Sequence, residues 1–270
     1  MTLGFSVETL LPHARVSGPL RMGLLRLTES EWLDPHRDLA ERAAAFDAYP
    51  DIVQVLPDGE KSARELAEML GAGSLEHAAR AHWEDFCLLT QDTPGQPYRL
   101  VAAAVGFPTD WKLSEKMGRS LHTVHEPIHG YAEQLSVGVD RFMDRLRTGE
   151  IYGRTNAFVM PSNDARYMPV DSAEQRYSHV TAHNAGSALF VRCERETLRR
   201  LPQTGAVDLA DGPLQAAVVR HDRRSREPHG FEDVEQVTAA VHEARVQPGP
   251  ALRRFGTGHR GSRRQHRSHP

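Results

Sequence analysis

Apolar residues in this chain change their spacing three times between Leu39 and Glu194, from every third or fourth position to every second and back. That switching restricts the fold more than any other feature, because helix and strand bury their faces with different periods. Leu39, Ala43 and Phe46 keep a helical period that Pro50 stops. Ala63, Leu66, Ala67 and Leu70 form a second helical stripe, with Gly71 where a C-cap belongs. Leu75 to Trp83 reads as a third, shorter helix. Phe86 to Leu89 and Tyr98 to Val105 are apolar runs separated by Asp92-Thr93-Pro94-Gly95, a β-hairpin with turn chemistry between its strands.

Trp111 to Met117 reads as a short helix with Gly118 as its stop. Leu135, Val139, Phe142, Met143 and Leu146 keep a helical stripe. Ile151 to Val159 and Ser187 to Glu194 read as strands. In the second, Leu189, Val191 and Cys193 point one way and Arg192 and Glu194 the other. Thr197 to Arg200 reads as a basic turn before Pro202. The order of helices, hairpin, helices and strands predicts an α+β fold with an antiparallel sheet.

With 270 residues and a formal net charge of −3, the chain has room for one large domain or two small ones. No apolar run is long enough to span a bilayer as a helix. Met1 to Arg15 lacks the basic start and apolar core of a secretory signal. Cys87 and Cys193 stand far apart, which fits free thiols and a cytoplasmic location. Residues 1–35 read as a lead-in segment. From Arg253 to Pro270 there are six arginines and no acidic residue, and Phe231 and Phe255 are the only aromatics after position 207. Such a stretch offers little apolar surface to offset ordering entropy, so 208–270 is expected to be a disordered tail. No nucleic-acid or membrane partner is expected.

His122, His125 and His129 would share one face of a continuous helix and could then bind a metal. Pro127 interrupts that helix, so one histidine acting alone is the better candidate. Neutral imidazole is a common haem-iron ligand, and the alternative is a histidine with only local hydrogen bonds. Cys193 could serve as a thiolate, but its alternation with Leu189 and Val191 marks a small core residue.

Two further segments narrow the reading. Phe107-Pro108-Thr109-Asp110-Trp111-Lys112-Leu113 leads through Glu115-Lys116-Met117-Gly118-Arg119 to His125-Glu126-Pro127-Ile128-His129-Gly130-Tyr131. Later comes Val191-Arg192-Cys193-Glu194-Arg195, followed by Thr197-Leu198 and Arg200-Leu201-Pro202. In this order they resemble the haem-dependent oxidative N-demethylase family, alpha-subunit-like, whose haem sits in a PAS-like domain. The resemblance covers roughly residues 30 to 207.

It implies a PAS-like antiparallel sheet with flanking helices over about residues 80 to 207, inside a domain of 36–207. His125, Pro127 and Tyr131 match the family's Ile-His-x-Pro-Val-Pro-x-Tyr stretch, and His129 stands where proline is usual. His125 becomes the first choice for the metal, with Tyr131, Arg154, Asn156, Arg192 and Arg195 as further haem-pocket residues. Guanidinium groups suit haem propionates, although a salt-bridge network on a strand would use them equally well. Ala157 replaces a tryptophan of the family's Arg-x-Asn-Trp stretch.

The implied activity is demethylation of a small amine by a monooxygenase with haem b. Electrons would come from a separate reductase or electron-transfer subunit, since no dinucleotide fingerprint, P-loop or iron–sulfur cysteine set occurs here. A haem or small-ligand sensor and an inactive truncated relative are the alternatives. After Val207 the family pattern gives way to Asp208-Leu209-Ala210-Asp211-Gly212-Pro213, which predicts a sheet lacking a strand.

Overall fold

The computed structural model describes residues 22–34, 38–126, 131–181 and 184–218, a few of them, Asn156 to Val159 included, through their backbone only. Within these, the chain builds a seven-stranded sheet. The strands are β1 (Leu25–Leu27), β2 (Val53–Val55), β3 (Asp85–Thr90), β4 (Arg99–Ala104), β5 (Ile151–Met160), β6 (Phe190–Arg200) and β7 (Val207–Val218). Their order is β1-β5-β6-β7-β3-β4-β2, and every pairing is antiparallel. Numbered among themselves in chain order, the five central strands lie 2-1-5-4-3, the arrangement of a PAS-like core. β1 and β2 extend that core at its two edges.

The N-terminal helices are α1 (Ala40–Ala48), α2 (Glu60–Met69) and α3 (Leu75–Ala81). The helix α2 ends as its sequence predicts. Gly71 adopts a φ of 67°, the Gly71 N–H donates to the Glu68 carbonyl at 3.0 Å and Ala72 N–H to Ala67 at 2.8 Å, the two bonds of a Schellman cap. α3 starts at Ser74, whose hydroxyl accepts from the His77 N–H at 3.1 Å. Leu66, Leu75 and Ala79 of these helices pack with Phe86, Leu88, Val101 and Ala210 on one face of the sheet.

The connection from β4 to β5 carries α4 (Leu113–Lys116), α5 (Leu121–Val124), α6 (Tyr131–Gln134) and α7 (Ser136–Arg145). It covers the other face, where Leu113, Leu121 and Met143 join Leu89, Leu100 and Leu198. Helices therefore pack on both faces of the sheet. Two further single-turn helices, α8 (Ala173–Arg176) and α9 (Ala185–Ala188), lie between β5 and β6.

Three local expectations need correction. Thr197 to Arg200 is no turn but the end of β6, paired with β7 throughout and with β5 as far as Arg199. A tight turn at 201–206 follows, so the basic residues alternate across a central strand. The sheet also takes in residues on both sides of 36–207: β1 falls in the expected lead-in and β7 continues to Val218. The missing strand is thus present. Asp208 to Val218 lacks the family's usual letters yet keeps the alternation that a central strand requires, with Asp208 and Ala210 buried on one side. The basic segment from 219 onward lies outside the described residues.

Candidate functional site

The face of the sheet under α4–α7 carries the charged residues. Register places Arg154 of β5 opposite Glu196 of β6, Glu196 opposite Asp211 of β7, and Asp211 opposite Asp85 of β3. Directly opposed residues share a face, so these four form one row across four strands. Central strands should be the most buried part of such a sheet. Cys87, Arg154, Glu194, Glu196, Leu209 and Asp211 are nevertheless only half-buried, whereas Phe86, Leu88, Arg195, Thr197, Asp208 and Ala210 on the other face are buried. The helices above therefore leave this charged part of the face partly exposed.

Arg154 donates from Nε to Glu196 Oε2 at 2.6 Å and from Nη2 to Oε1 at 3.0 Å, a bidentate pair. The Glu196 charge raises the arginine's already high pKa, against the opposing effect of burial. Next along β6, Glu194 accepts from Arg192 Nε at 3.0 Å and from the Thr109 hydroxyl at 2.8 Å.

His125 ends α5 as its C-cap, where the helix stops short of Pro127. Its ring lies parallel to that of Tyr131, centroids 4.5 Å apart and 15° between planes. Its Nδ1 lies 2.8 Å from the Leu121 carbonyl. A carbonyl only accepts, so this contact defines the tautomer: Nδ1 carries the proton and Nε2 keeps a lone pair. Burial lowers the His125 pKa, and Arg154 and Lys116 reinforce this against the opposing Leu121 hydrogen bond and Glu196 charge. The imidazole is therefore neutral at pH 7. Tyr131 is buried at the start of α6, and burial pushes its phenol up to about 12.

The expected residues do not all meet. His125, Tyr131 and Arg154 converge, as the charges that perturb them show. Arg192 shares their face of β6 but its guanidinium is engaged by the Ala165 carbonyl at 2.8 Å and Phe107 at 2.9 Å. Arg195 lies on the opposite face. It donates to the carbonyls of Trp32, at 3.0 Å, and Glu31. The separation was readable: three positions apart on a strand means opposite sides. The Asn156 side chain, with Pro127 and His129, lies outside the described residues. His122 is exposed, and among the described residues no cluster of three or more His, Cys, Asp or Glu is placed to hold a metal. Cys193 is 1% exposed, and burial pushes its thiol to about 11, as befits a core residue.

Glu196 and Asp211 escaped the sequence reading. Glu196 sits directly after the Arg-x-Glu-Arg pattern, and only strand register reveals its partner. A separate cleft of about 510 Å³, lined in part by Tyr49, Trp111, Arg166 and Tyr167, opens beyond the far end of β4.

The fold and this row of charged side chains together define a PAS-like α+β protein with a half-buried polar face on its central strands. Residues 71–209 match the family described as haem-dependent oxidative N-demethylase, alpha subunit-like. That match spans just over half of the 270 residues, and the chain belongs to this family. No curated protein matches the chain.

Proposed function

We propose that this chain is the haem-binding subunit of an oxidative N-demethylase acting on a small amine. The observation that carries the proposal is His125, held by Leu121 through Nδ1 with Nε2 free, near the half-buried charged row of Arg154, Glu196 and Asp211. A ligating histidine needs this kind of partner on its other nitrogen to fix ring orientation and tautomer. The donor set therefore fits a haem, with His125 as the iron ligand. Arg154 uses two of its N–H groups on Glu196 and has others for a propionate. Tyr131 stacks on the imidazole and limits its rotation. Asn156 remains a proposed pocket residue through its position two residues beyond Arg154 on β5, and Arg192 and Arg195 act from within the framework by anchoring the segments around β6.

Bound haem would supply oxygen activation, while the protein positions the amine and limits water. Haem b is the form proposed, since Cys87 and Cys193 cannot make a paired thioether attachment motif. The alpha-subunit-like family description supports a partner subunit, which we take to be the reductase. No helix among the described residues is long and apolar enough to cross a membrane. A cytoplasmic location is part of the same proposal and rests on two free cysteines.

Titration of the purified chain with haem tests this. The wild type should develop a Soret band, His125→Ala should lose or strongly shift it, and His122→Ala should leave it nearly unchanged. Amine-dependent oxygen consumption with an added electron donor then tests the reaction. A folded wild-type chain without a Soret band removes the reading.

A further inference from the structure

The segment from Phe107 to Leu113 belongs to the motif that carries the family resemblance, yet the site around His125 uses neither Trp111 nor Lys112. Both residues line the cleft of about 510 Å³ beyond β4, together with Tyr49, Arg166 and Tyr167. That volume lies within the usual range for a small-molecule site.

Two loops form the walls, one from β4 to α4 and one after β5. They are joined at Tyr167, whose N–H donates to the Pro108 carbonyl at 3.0 Å and whose carbonyl accepts from the Asp110 N–H at 2.7 Å. Asp110 has a φ of 58°, the one left-handed non-glycine among the described residues, and Arg176 holds its carboxylate at 2.7 Å. Arg192 donates to the carbonyls of Phe107 and Ala165, one from each loop. The walls are therefore set before any ligand arrives, which lowers the ordering cost of binding.

Arg166 stands apart from the other arginines. Among the described residues, every other buried or half-buried arginine pairs with a carboxylate, except Arg200, whose guanidinium is taken up by the Leu146, Gly205 and Met143 carbonyls. Arg166 is half-buried and has neither arrangement. Its guanidinium lies over the Tyr49 ring, 4.1 Å from the centroid, and Nη1 donates to the Gly106 carbonyl at 3.2 Å. The stack and the single hydrogen bond hold the planar fork in place and leave its other N–H groups for a ligand. Trp111 and Tyr167 are also half-buried, so ring surface of each remains open in the cleft they line. Lys112 is exposed and sits 3.8 Å from Glu115, so it adds only diffuse positive charge.

We propose that this cleft binds a small organic acid with a flat apolar body, its carboxylate taken by the Arg166 fork and its body packed against Trp111 and Tyr167. A guanidinium matches a carboxylate through two parallel N–H···O bonds. An ammonium ligand would meet the fixed Arg166 charge. A dianion would meet Asp51 and Asp164, which line the same cleft, so a monoanion suits it best. This site goes beyond the demethylase reading and does not depend on haem.

Benzoate is the probe. It is titrated into the full chain at pH 7 by calorimetry and by tryptophan fluorescence, in which Trp111 reports because Trp32 and Trp83 are buried. Wild type should bind with a Kd below about 1 mM. Benzamide, the neutral analogue, and acetate, which lacks the flat body, should each bind at least about tenfold more weakly. Arg166→Gln should bind about tenfold more weakly, and Arg166→Lys, which keeps the charge without the fork, about threefold. Arg119→Gln, at an exposed arginine outside the cleft, should bind as wild type. Should Arg166→Gln fail to fold, Arg166→Lys carries the comparison.

No benzoate binding by wild type, equal affinity for benzamide, unchanged affinity in the folded Arg166 variant, an equal loss in Arg119→Gln, or tighter binding of phenyl phosphate than of benzoate would each overturn the inference. Haem is titrated separately, so a missing Soret band would remove the demethylase reading while the benzoate titration judges this site.

Discussion

At the scale of single residues, the Arg154–Glu196 pair joins architecture to the candidate site. The two are opposed on adjacent central strands, so their separation is set by the sheet rather than by flexible side chains. Their side chains are 24% and 14% exposed, which places them between a surface pair and a fully buried one. Removing the acid leaves a confined guanidinium without its carboxylate. Glu196→Ala should therefore cost roughly 1–3 kcal/mol in urea unfolding, and Glu196→Gln less, because the amide oxygen still accepts. The same Ala variant should weaken haem uptake, as Arg154 loses the partner that orients it. A Glu196→Ala protein as stable as wild type would show that Arg154 finds another partner. His125 is the second such residue. Its proton position follows from one carbonyl of its own helix, so its role depends on where α5 ends.

At the scale of elements, α2 and the β6–β7 turn are clamped by one side chain. Glu65 is 3% exposed. Its carboxylate accepts from Gln203 N at 2.6 Å, Thr204 N at 2.8 Å and Thr204 Oγ1 at 2.5 Å. A buried carboxylate is tolerated because three donors replace its water. The clamp fixes the hairpin whose register brings Glu196 and Asp211 together. Glu65→Ala should destabilise the protein by about 2–4 kcal/mol and expose the turn amides to faster hydrogen exchange. Glu65→Gln should recover part of that loss. Unaltered exchange at 203–206 in Glu65→Ala would count against the clamp. The stripe of Ala63, Leu66 and Ala67 on α2 was plain in sequence, but the destination of Glu65 was not, because its partners lie more than 130 residues away.

At the scale of the whole molecule, the face of the sheet opposite the Arg154–Glu196 row hides acids. Asp208 is fully buried, and burial pushes its carboxyl up to about 8, with Arg199 opposing the shift. Glu84, also buried, is raised to about 7 for the same reason, against hydrogen bonding and Arg195. Both native pKa values lie above the ordinary range of about 4. The folded protein therefore holds protons that the unfolded chain has released. Their stabilising contribution is complete below pH 4 or so and is lost as pH rises through about 7 to 8. Calorimetry should show Tm falling by several degrees between about pH 5 and about pH 9. Asp208→Asn should flatten that slope; an equally steep slope in the variant would exclude Asp208 as its source.

Local spacing by itself determined the helices α1 to α3, the β3–β4 hairpin, the α7 stripe and the stops at Gly71 and Gly118, since each depends on residues within a turn or two. The motif order from Phe107 to Arg195 was equally legible and led to the family. Tertiary structure alone decided that Thr197–Arg200 continues a strand, that Asp208–Val218 fills the sheet, and that Arg192 and Arg195 serve opposite faces as anchors. It alone set Arg154, Glu196 and Asp211 in one row. The reason is physical: strand register couples residues far apart in the chain through backbone hydrogen bonds, and a shift of one position would send every one of these side chains to the other face.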